Sequence, residues 1–195
     1  MILFDRLNNK RIILGSKSPR RKYLLEELGI QFEVRTKNVN EDFSNNLKAQ
    51  EIPLYLSEKK SKAFENELQD NEIVITADTV VWINEKALNK PESRENAIEM
   101  LNLLSGKQHQ VFTGVCIRSK SNSLSFYVET KVKFKTLSSE EISYYVDKYQ
   151  PFDKAGSYGV QEFLGYIAIE SIEGSYYNVM GLPIKELYEA LEKFV

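Results

Sequence analysis

The sequence IILGSKSPRRKYLLEEL, residues 12–28, passes from an apolar run through a short polar turn into a helix-forming segment. The apolar run at 12–14 predicts a buried strand, and residues 22–28 predict a helix that ends at Gly29. Ser18 can cap this helix, and Pro19 suits its first position because a proline there loses no hydrogen bond. A strand that leads directly into a helix is typical of α/β proteins.

The turn itself carries hydroxyl groups and guanidinium groups at a predicted helix start. Ser16 and Ser18 offer short polar side chains, and Arg20 and Arg21 offer planar, two-pronged donors for a phosphate or a base edge. Because a helix start also has unpaired backbone N–H groups, the turn favours an anion site. An ordinary capped helix with two solvated arginines is the alternative that this segment alone leaves open.

The rest of the chain alternates between predicted strands and helices. Further strands are predicted at residues 31–36, 110–118, 124–135 and 166–172. Residues 73–83 predict either a strand pair or one long strand, interrupted by Asp78. Further helices are predicted at residues 52–68, 96–104 after Ser93, 139–148 after Ser138 or Ser139, and 183–194. The order predicts an α/β protein, and the two adjacent strand pairs argue against a purely parallel sheet.

Composition excludes several classes of function. The 195 residues suffice for one domain, and the net charge of −2 argues against general binding to nucleic acid or acidic membranes. The single cysteine, Cys116, excludes an internal disulfide, and the single histidine, His109, excludes a histidine-based zinc site. With neither a membrane-spanning run nor the apolar centre of a signal peptide, a cytoplasmic protein without a membrane partner is expected.

Asp78 interrupts an apolar run that otherwise resembles a buried strand. A buried carboxylate without a partner is costly, so such a residue usually binds a metal, pairs with a cation or accepts several N–H groups. In the sequence it lies at the end of a strand, where α/β proteins tend to bind ligands. The alternative is an aspartate in a turn between two strands.

Three other features are weak signals when each is taken alone. Lys90 precedes Pro91, which restrains its backbone towards an extended form, and Lys60 lies in a predicted helix. Two glycine-punctuated segments, 151–161 and 173–183, suggest loops whose backbone approaches a neighbour closely. The sequence contains neither a Walker-type phosphate loop nor a nucleophile elbow.

Six segments taken together resemble the Maf family of nucleoside triphosphate pyrophosphatases. They are residues 16–21, 77–81, 88–91, 109–114, 153–161 and 174–183, in the family's order from residue 12 to 194. The resemblance implies an α/β fold with two lobes around a central mixed sheet and a nucleotide-binding cleft between them. It covers nearly all of residues 1–195, so a single Maf-like domain is expected.

The resemblance also implies an activity, the hydrolysis of a nucleoside triphosphate to its monophosphate and pyrophosphate. Asp78 matches the family's catalytic aspartate, and Glu41 matches an acidic residue that assists it. Together they are expected to hold a divalent cation, Mg²⁺ or Mn²⁺, through oxygen ligands. Residues expected to bind the substrate are Ser16, Ser18, Arg20, Arg21, Lys60 and Lys90, with Arg21 assigned to phosphate.

The base preference is indicated by Arg20, Thr79 and Gln161, which match relatives that act on dTTP and UTP. Relatives that act on 7-methyl-GTP have tryptophan and acidic residues there, as a cationic purine requires. CTP and modified pyrimidine nucleotides stay open as substrates. The chain departs from the pattern at Asn89, where glycine is common, and at Asn40, where an acid is frequent.

Two other functions stay open at this stage. A noncatalytic regulator of septum formation would use the cleft to sense nucleotides, whereas an enzyme would clean the nucleotide pool, with a link to cell-division arrest. A nucleic-acid-binding module based on Arg20 and Arg21 is disfavoured by the acidic charge balance. The resemblance alone raises a homodimer as an expectation.

Overall fold

A mixed sheet of seven strands lies at the centre of the computed structural model, which describes residues 2–195. The strands are β1 (Arg11–Leu14), β2 (Phe32–Val34), β3 (Glu72–Ile83), β4 (Lys86–Leu88), β5 (Gln108–Arg118), β6 (Ser123–Phe134) and β7 (Ile169–Glu173). Their order across the sheet is β2-β1-β3-β5-β6-β7, with β4 also paired to β3. The pairs β1–β2 and β1–β3 are parallel and the other described pairs are antiparallel. The prediction of a sheet that is not purely parallel is therefore confirmed.

Eight α-helices pack around the described part of this sheet. They are α1 (Leu3–Leu7), α2 (Pro19–Glu27), α3 (Glu51–Lys62), α4 (Arg94–Leu104), α5 (Ser139–Tyr149), α6 (Phe163–Ala168), α7 (Tyr176–Met180) and α8 (Ile184–Phe194). The side chains of Ser18, Ser93 and Ser138 cap α2, α4 and α5 by accepting a hydrogen bond from a first-turn N–H. The predicted caps of these helices are therefore confirmed, because serine satisfies N–H groups that a helix start leaves unpaired.

Two hydrophobic cores divide the molecule into two lobes joined by β3. Ile75 of β3 packs in a core with Leu187 of α8 and residues of α1 and α2. Val81 of the same strand packs in a second core with Leu101 of α4 and residues of α5 and α6. The segment of β3 between Ile75 and Val81 therefore crosses from one lobe to the other.

This crossing segment lacks a strand neighbour along one edge. β1 pairs with β3 only as far as Leu14 opposite Ile75, and β4 pairs with it only from Val81 onwards. The opposite edge of β3 is fully covered by β5. We call residues 76–80, which have no described strand partner on the β1 side, the β3 gap.

The side chains of the β3 gap alternate between the two faces of the sheet. Thr76 faces α3, because its hydroxyl donates a hydrogen bond of 2.7 Å to the carbonyl oxygen of Ser57. Ala77 faces the opposite side and belongs to the core that contains α8. With a period of two residues, Asp78 points towards α3 and Thr79 points away from it.

Of the two alternatives for residues 73–83, one long strand is confirmed. The placement of Asp78 at a strand end is therefore wrong, because this residue lies inside β3 opposite Gly114 of β5. β3 continues past β1, since β5 supports it along its other edge. Asp78 nevertheless lies just beyond the carboxyl end of the parallel strand β1, which stops opposite Ile75. That is the place where α/β sheets usually bind ligands.

Two other element predictions need correction. Residues 166–168, predicted as part of a strand, complete the helix α6, because Leu164 and Ala168 bury one face at a spacing of four residues. The helix predicted at 52–68 ends at Lys62, and Phe64 and Leu68 pack from the turns that follow. Helices α1 and α7 are too short to give a periodic signal.

Cys116 and His109 are both buried, as expected for structural residues. The Nε2 atom of His109 lies 2.8 Å from the hydroxyl of Tyr158. Within residues 2–195, no helix combines the length and the apolar character that crossing a bilayer requires.

The burial of His109 predicts a loss of stability in mild acid. Burial lowers its pKa to about 4, whereas an unfolded histidine has a pKa of about 6.5. Between these values the unfolded chain binds a proton that the native state excludes, so stability falls as pH falls. We expect the free energy of unfolding to drop by about 2 kcal/mol between pH 7 and pH 5 from this group.

Urea denaturation at both pH values measures this loss. The His109→Gln variant keeps a polar partner for Tyr158 and removes the titrating ring, so its unfolding free energy should change less across this range. An identical pH dependence in the two proteins would contradict a role for His109.

Candidate active site

A cleft of ≈ 360 Å³ opens at the β3 gap between the two lobes. All ten residues singled out from the sequence line this cleft: Ser16, Ser18, Arg20, Arg21, Glu41, Lys60, Asp78, Thr79, Lys90 and Gln161. They come from the β1–α2 turn, the first turn of α2, the segment before α3, α3 itself, β3, the segment after β4 and the loop before α6. The fold therefore brings together residues separated by up to 145 positions in the sequence (161 minus 16).

On the α3 side of the sheet, two lysines and two carboxylates form a compact ionic group. The Lys60 Nζ atom lies 2.5 Å from Asp78 Oδ1 and 2.7 Å from Glu41 Oε1. The Lys90 Nζ atom lies 3.5 Å from Glu41 Oε2. We call Glu41, Lys60, Asp78 and Lys90 the carboxylate–lysine centre. Asp78 and Lys60 are only 14 % and 15 % exposed, so their attraction is weakly screened by solvent.

The position of Lys60 depends on a close approach of α3 to β5. A Cβ atom built on Gly114 would lie 2.3 Å from the carbonyl oxygen of Pro53 in α3. Only glycine fits this contact, and Gly114 pairs directly with Asp78 across the sheet. The hydrogen bond from Thr76 to Ser57 fixes the same helix one turn before Lys60.

The lysines keep Glu41 ionised in a partly buried place. Burial raises the pKa of Glu41, but the neighbouring ammonium groups of Lys60 and Lys90 leave it below the ordinary value of a glutamate. Glu41 is therefore an anion at neutral pH.

On the opposite side of the sheet, Arg21 is partly buried and bound mainly to the protein. Its Nε donates to the carbonyl oxygen of Gly181 at 2.8 Å, and its terminal nitrogens donate to Ser16 Oγ at 3.3 Å and to Thr79 Oγ1 at 3.1 Å. Burial lowers the pKa of Arg21, an effect opposed in part by the charges of Asp78 and Glu41. Three of its five N–H groups are thus used within the protein, and two stay free for a ligand.

Arg20 is held across the cleft by Asp153. Its guanidinium donates to Asp153 Oδ2 at 2.7 Å and to the Asp153 carbonyl oxygen at 3.3 Å. Asp153 also accepts from Lys154 at 2.6 Å, and Lys154 pairs with Glu162 at 3.2 Å. Burial raises the pKa of Asp153, but Lys154 and Arg20 together leave it below its usual value. This charged chain ties the start of α2 to the loop that carries Gln161.

Gln161 lines the cleft, and its side chain contains an unpaired polar atom. Its Oε1 atom is buried and accepts no hydrogen bond from the described residues. Buried amide oxygens are rarely left unpaired in native proteins, so this atom is suited to a donor on a bound ligand.

Asp153, Lys154, Thr113 and Asn178 have no role that the sequence predicts. The first two stand in the glycine-punctuated segment 151–161, and Thr113 belongs to the segment 109–114, so both segments were visible as motifs. Only the contacts of these residues in the folded structure indicate a role for them. Those contacts depend on pairing between elements that are distant in the sequence.

A mixed sheet with a cleft between two lobes, lined by lysines, arginines and three carboxylates, defines an α/β protein built for a polyanionic ligand. In fold, the chain is similar to the Staphylococcus aureus Ham1 protein, with a TM-score of 0.51 at 17 % identity over 95 % of this chain and 100 % of that one.

Residues 11–194 match the family described as Maf-like protein, and the chain belongs to this family. It is 53 % identical over 192 residues to a dTTP/UTP pyrophosphatase of Bacteroides thetaiotaomicron, covering 98 % of this chain and 100 % of the relative. A dTTP/UTP pyrophosphatase of Parabacteroides distasonis is 48 % identical over 193 residues, with coverages of 98 % and 100 %.

Proposed function

We propose that this protein hydrolyses dTTP and UTP to the nucleoside monophosphate and pyrophosphate. The observation that carries the proposal is the carboxylate–lysine centre at the β3 gap, with Arg20, Thr79 and Gln161 in the same cleft. The high identity to relatives of that name over the whole chain supports the choice of substrates.

In the proposed reaction, water attacks the α-phosphorus and Asp78 accepts a proton from it. The bond from the α-phosphorus to the oxygen that bridges it to the β-phosphate breaks, and pyrophosphate leaves with that oxygen. Lys60 and Lys90 lie where their charges would offset the negative charge of the phosphates and of the leaving group. Ser16, Ser18 and the N–H groups at the start of α2 would orient the triphosphate.

A divalent cation, Mg²⁺ or Mn²⁺, is part of this proposal. Asp78 and Glu41 both contact the one ammonium of Lys60, so their oxygens converge on a point that favours positive charge. No cluster of three metal-ligating side chains occurs within residues 2–195. Two carboxylates fit Mg²⁺, which usually takes one or two from the protein and further oxygens from substrate phosphates. When bound, such a cation neutralises phosphate charge and acidifies a water molecule.

The base would be held on the other face of the sheet. Thr79 points to that side, and Arg20 and Gln161, whose amide oxygen is unpaired, line the same cleft. The side chains of Arg20, Thr79 and Gln161 offer hydrogen bonds, and the carboxylate beside them, that of Asp153, is paired with Arg20 and Lys154. This arrangement suits a neutral pyrimidine better than a cationic purine.

Pyrophosphate release with dTTP, UTP, ATP and GTP in the presence of Mg²⁺ tests the activity. We expect turnover of dTTP and UTP to exceed that of the purine nucleotides. Binding of dTTP without product would instead indicate the nucleotide-sensing regulator, and turnover of all four at equal rates would contradict the base preference.

The ion pair between Arg20 and Asp153 predicts a separate effect on substrate binding. Asp153→Asn removes the carboxylate charge that holds Arg20 across the cleft. We expect KM for dTTP to rise by about five- to tenfold, with a smaller change in kcat.

The matched control is Asp147→Asn, since Asp147 pairs with Arg94 at 2.6 Å outside the cleft. Steady-state kinetics of both variants would show the difference. An equal rise of KM in the control, or a pure loss of kcat in Asp153→Asn, would contradict the positioning of Arg20.

The remaining expectations concern the cellular setting. The proposal includes a cytoplasmic location, where nucleoside triphosphates are made and used, and removal of unwanted nucleotides as the biological role. A homodimer and a link to cell-division arrest stay predictions from the family resemblance.

A further inference from the structure

We infer that a buried chain of hydroxyl groups makes Thr79 a hydrogen-bond acceptor towards the substrate, so that the site selects bases that carry an N3–H group. Thymine and uracil have this group and cytosine does not. Thr113, which does not line the cleft, is the positioning residue that sets this preference. The inference rests on the proposed function, and identifies the group of the base that the cleft recognises.

The chain of contacts runs from Arg21 into the interior of the sheet. The Arg21 guanidinium lies 3.1 Å from Thr79 Oγ1, which lies 2.9 Å from Thr113 Oγ1. Thr113 Oγ1 in turn lies 3.0 Å from the backbone carbonyl oxygen of Asn178 in α7. Thr113 is fully buried, so water cannot replace any of these partners.

The two ends of this chain fix the direction of every hydrogen bond in it. A carbonyl oxygen only accepts, so Thr113 must donate its single hydroxyl hydrogen to Asn178. Thr113 then has only lone pairs for Thr79, and Thr79 must donate its own hydrogen to Thr113. The reverse arrangement would place lone pairs of Thr113 and Asn178 against each other at 3.0 Å.

Arg21 completes the restriction on Thr79. A guanidinium only donates, so it uses one of the two lone pairs of the Thr79 hydroxyl. The hydrogen of Thr79 is already given to Thr113, and one lone pair is left. Towards a ligand in the cleft, Thr79 can therefore accept one hydrogen bond and donate none.

An acceptor of fixed direction distinguishes the pyrimidine bases. In thymidine and uridine nucleotides the only N–H group of the base is N3–H, because N1 carries the sugar. Cytosine in the same pose places a lone pair at N3, which meets the lone pair of Thr79 without a hydrogen between them. Gln161 is more adaptable, because its amide can rotate to offer either a donor or an acceptor.

The test compares kcat/KM for UTP and CTP in the wild-type protein and in variants of Thr113. We expect kcat/KM of the wild type to be at least about tenfold higher for UTP than for CTP, because CTP leaves a polar contact in the site unmade. Thr113→Val removes the acceptor of the Thr79 hydrogen, so Thr79 becomes able to donate to N3 of cytosine. We expect the preference to fall by at least about fivefold, with kcat/KM for CTP rising.

The controls separate this effect from general damage to the site, which would lower kcat/KM for both UTP and CTP. Thr113→Ser keeps the hydroxyl chain and should keep the wild-type ratio. Thr76→Val removes a buried hydroxyl from β3, the strand that carries Thr79. This hydroxyl contacts Ser57 and lies outside the hydroxyl chain, so the variant should also keep the ratio. An unchanged ratio in Thr113→Val, or equal use of UTP and CTP by the wild type, would overturn the inference.

A substrate analogue gives a result even if Thr113→Val does not fold. The triphosphate of the pyrimidin-2-one ribonucleoside carries a lone pair at N3 and no group at position 4. We expect the wild type to use it as poorly as CTP, and use at the rate of UTP would overturn the inference. Failure of the wild type to release pyrophosphate from dTTP and UTP would instead overturn the proposed function, and this inference with it.

Discussion

Asp78→Asn is expected to lower kcat for dTTP by about 10³-fold, the middle of the range for loss of a general base. The amide has nearly the same shape as the carboxylate but does not accept a proton from water at neutral pH. The substitution also removes the negative charge that lies 2.5 Å from the ammonium of Lys60. One of the two carboxylates proposed to hold the cation is thereby lost. The loss should therefore appear in kcat and persist at saturating substrate.

Circular dichroism and thermal denaturation would establish that the variant is folded, and pyrophosphate release would measure kcat. Asp42→Asn is the matched control, because Asp42 is an exposed carboxylate next to Glu41 that contacts Asn40 and does not line the cleft. Turnover of Asp78→Asn within about tenfold of the wild type would exclude Asp78 as the general base.

Gly114→Ala is expected to impair both stability and turnover, although the added methyl group lies outside the cleft. Its Cβ would lie 2.3 Å from the oxygen of Pro53 and 2.5 Å from the nitrogen of Leu54, which are backbone atoms that cannot rotate away. Helix α3 must therefore move, at a cost of about 3 kcal/mol. Lys60 moves with it, and a displacement of about 1 Å in a catalytic group can cost about 100-fold in rate.

Gly29→Ala is the control for the same change at a strained backbone. Gly29 has a φ of +80°, yet its nearest neighbour to a new Cβ is at 3.8 Å. It should lose about 1 kcal/mol of stability and keep the turnover of the wild type. Denaturation with urea and steady-state kinetics would measure both effects, and a Gly114→Ala protein with normal kcat would contradict the coupling between α3 and the site.

Local patterns in the sequence predicted the parts of the fold that depend on neighbouring residues. Ser18, Ser93 and Ser138 were recognisable as caps, and Gly29 as a helix end, because these signals lie within one turn of the helix. The residues that line the cleft were predicted as a set through the family resemblance, since Lys60 or Lys90 alone looks like a solvated surface lysine.

The rest depends on pairings that the sequence does not contain. Asp78 resembled a strand end because the apolar run breaks there, but the supporting strand β5 is more than thirty residues further along the chain. The partners of Asp153 and Thr113 likewise come from elements that meet only in the folded sheet. The strand prediction for residues 166–168 is wrong because a short helix and a short strand can have the same apolar content.

The β3 gap has a consequence for how substrate choice can change over time. Asp78 and Thr79 are neighbours in the chain, yet one serves the α3 face of the sheet and the other the opposite face. Under the proposed function, mutations on the Thr79 face would therefore exchange one base for another while the groups proposed for hydrolysis keep their places. A single ancestral hydrolase could in this way give rise to enzymes for different nucleotides, with its phosphate chemistry inherited unchanged.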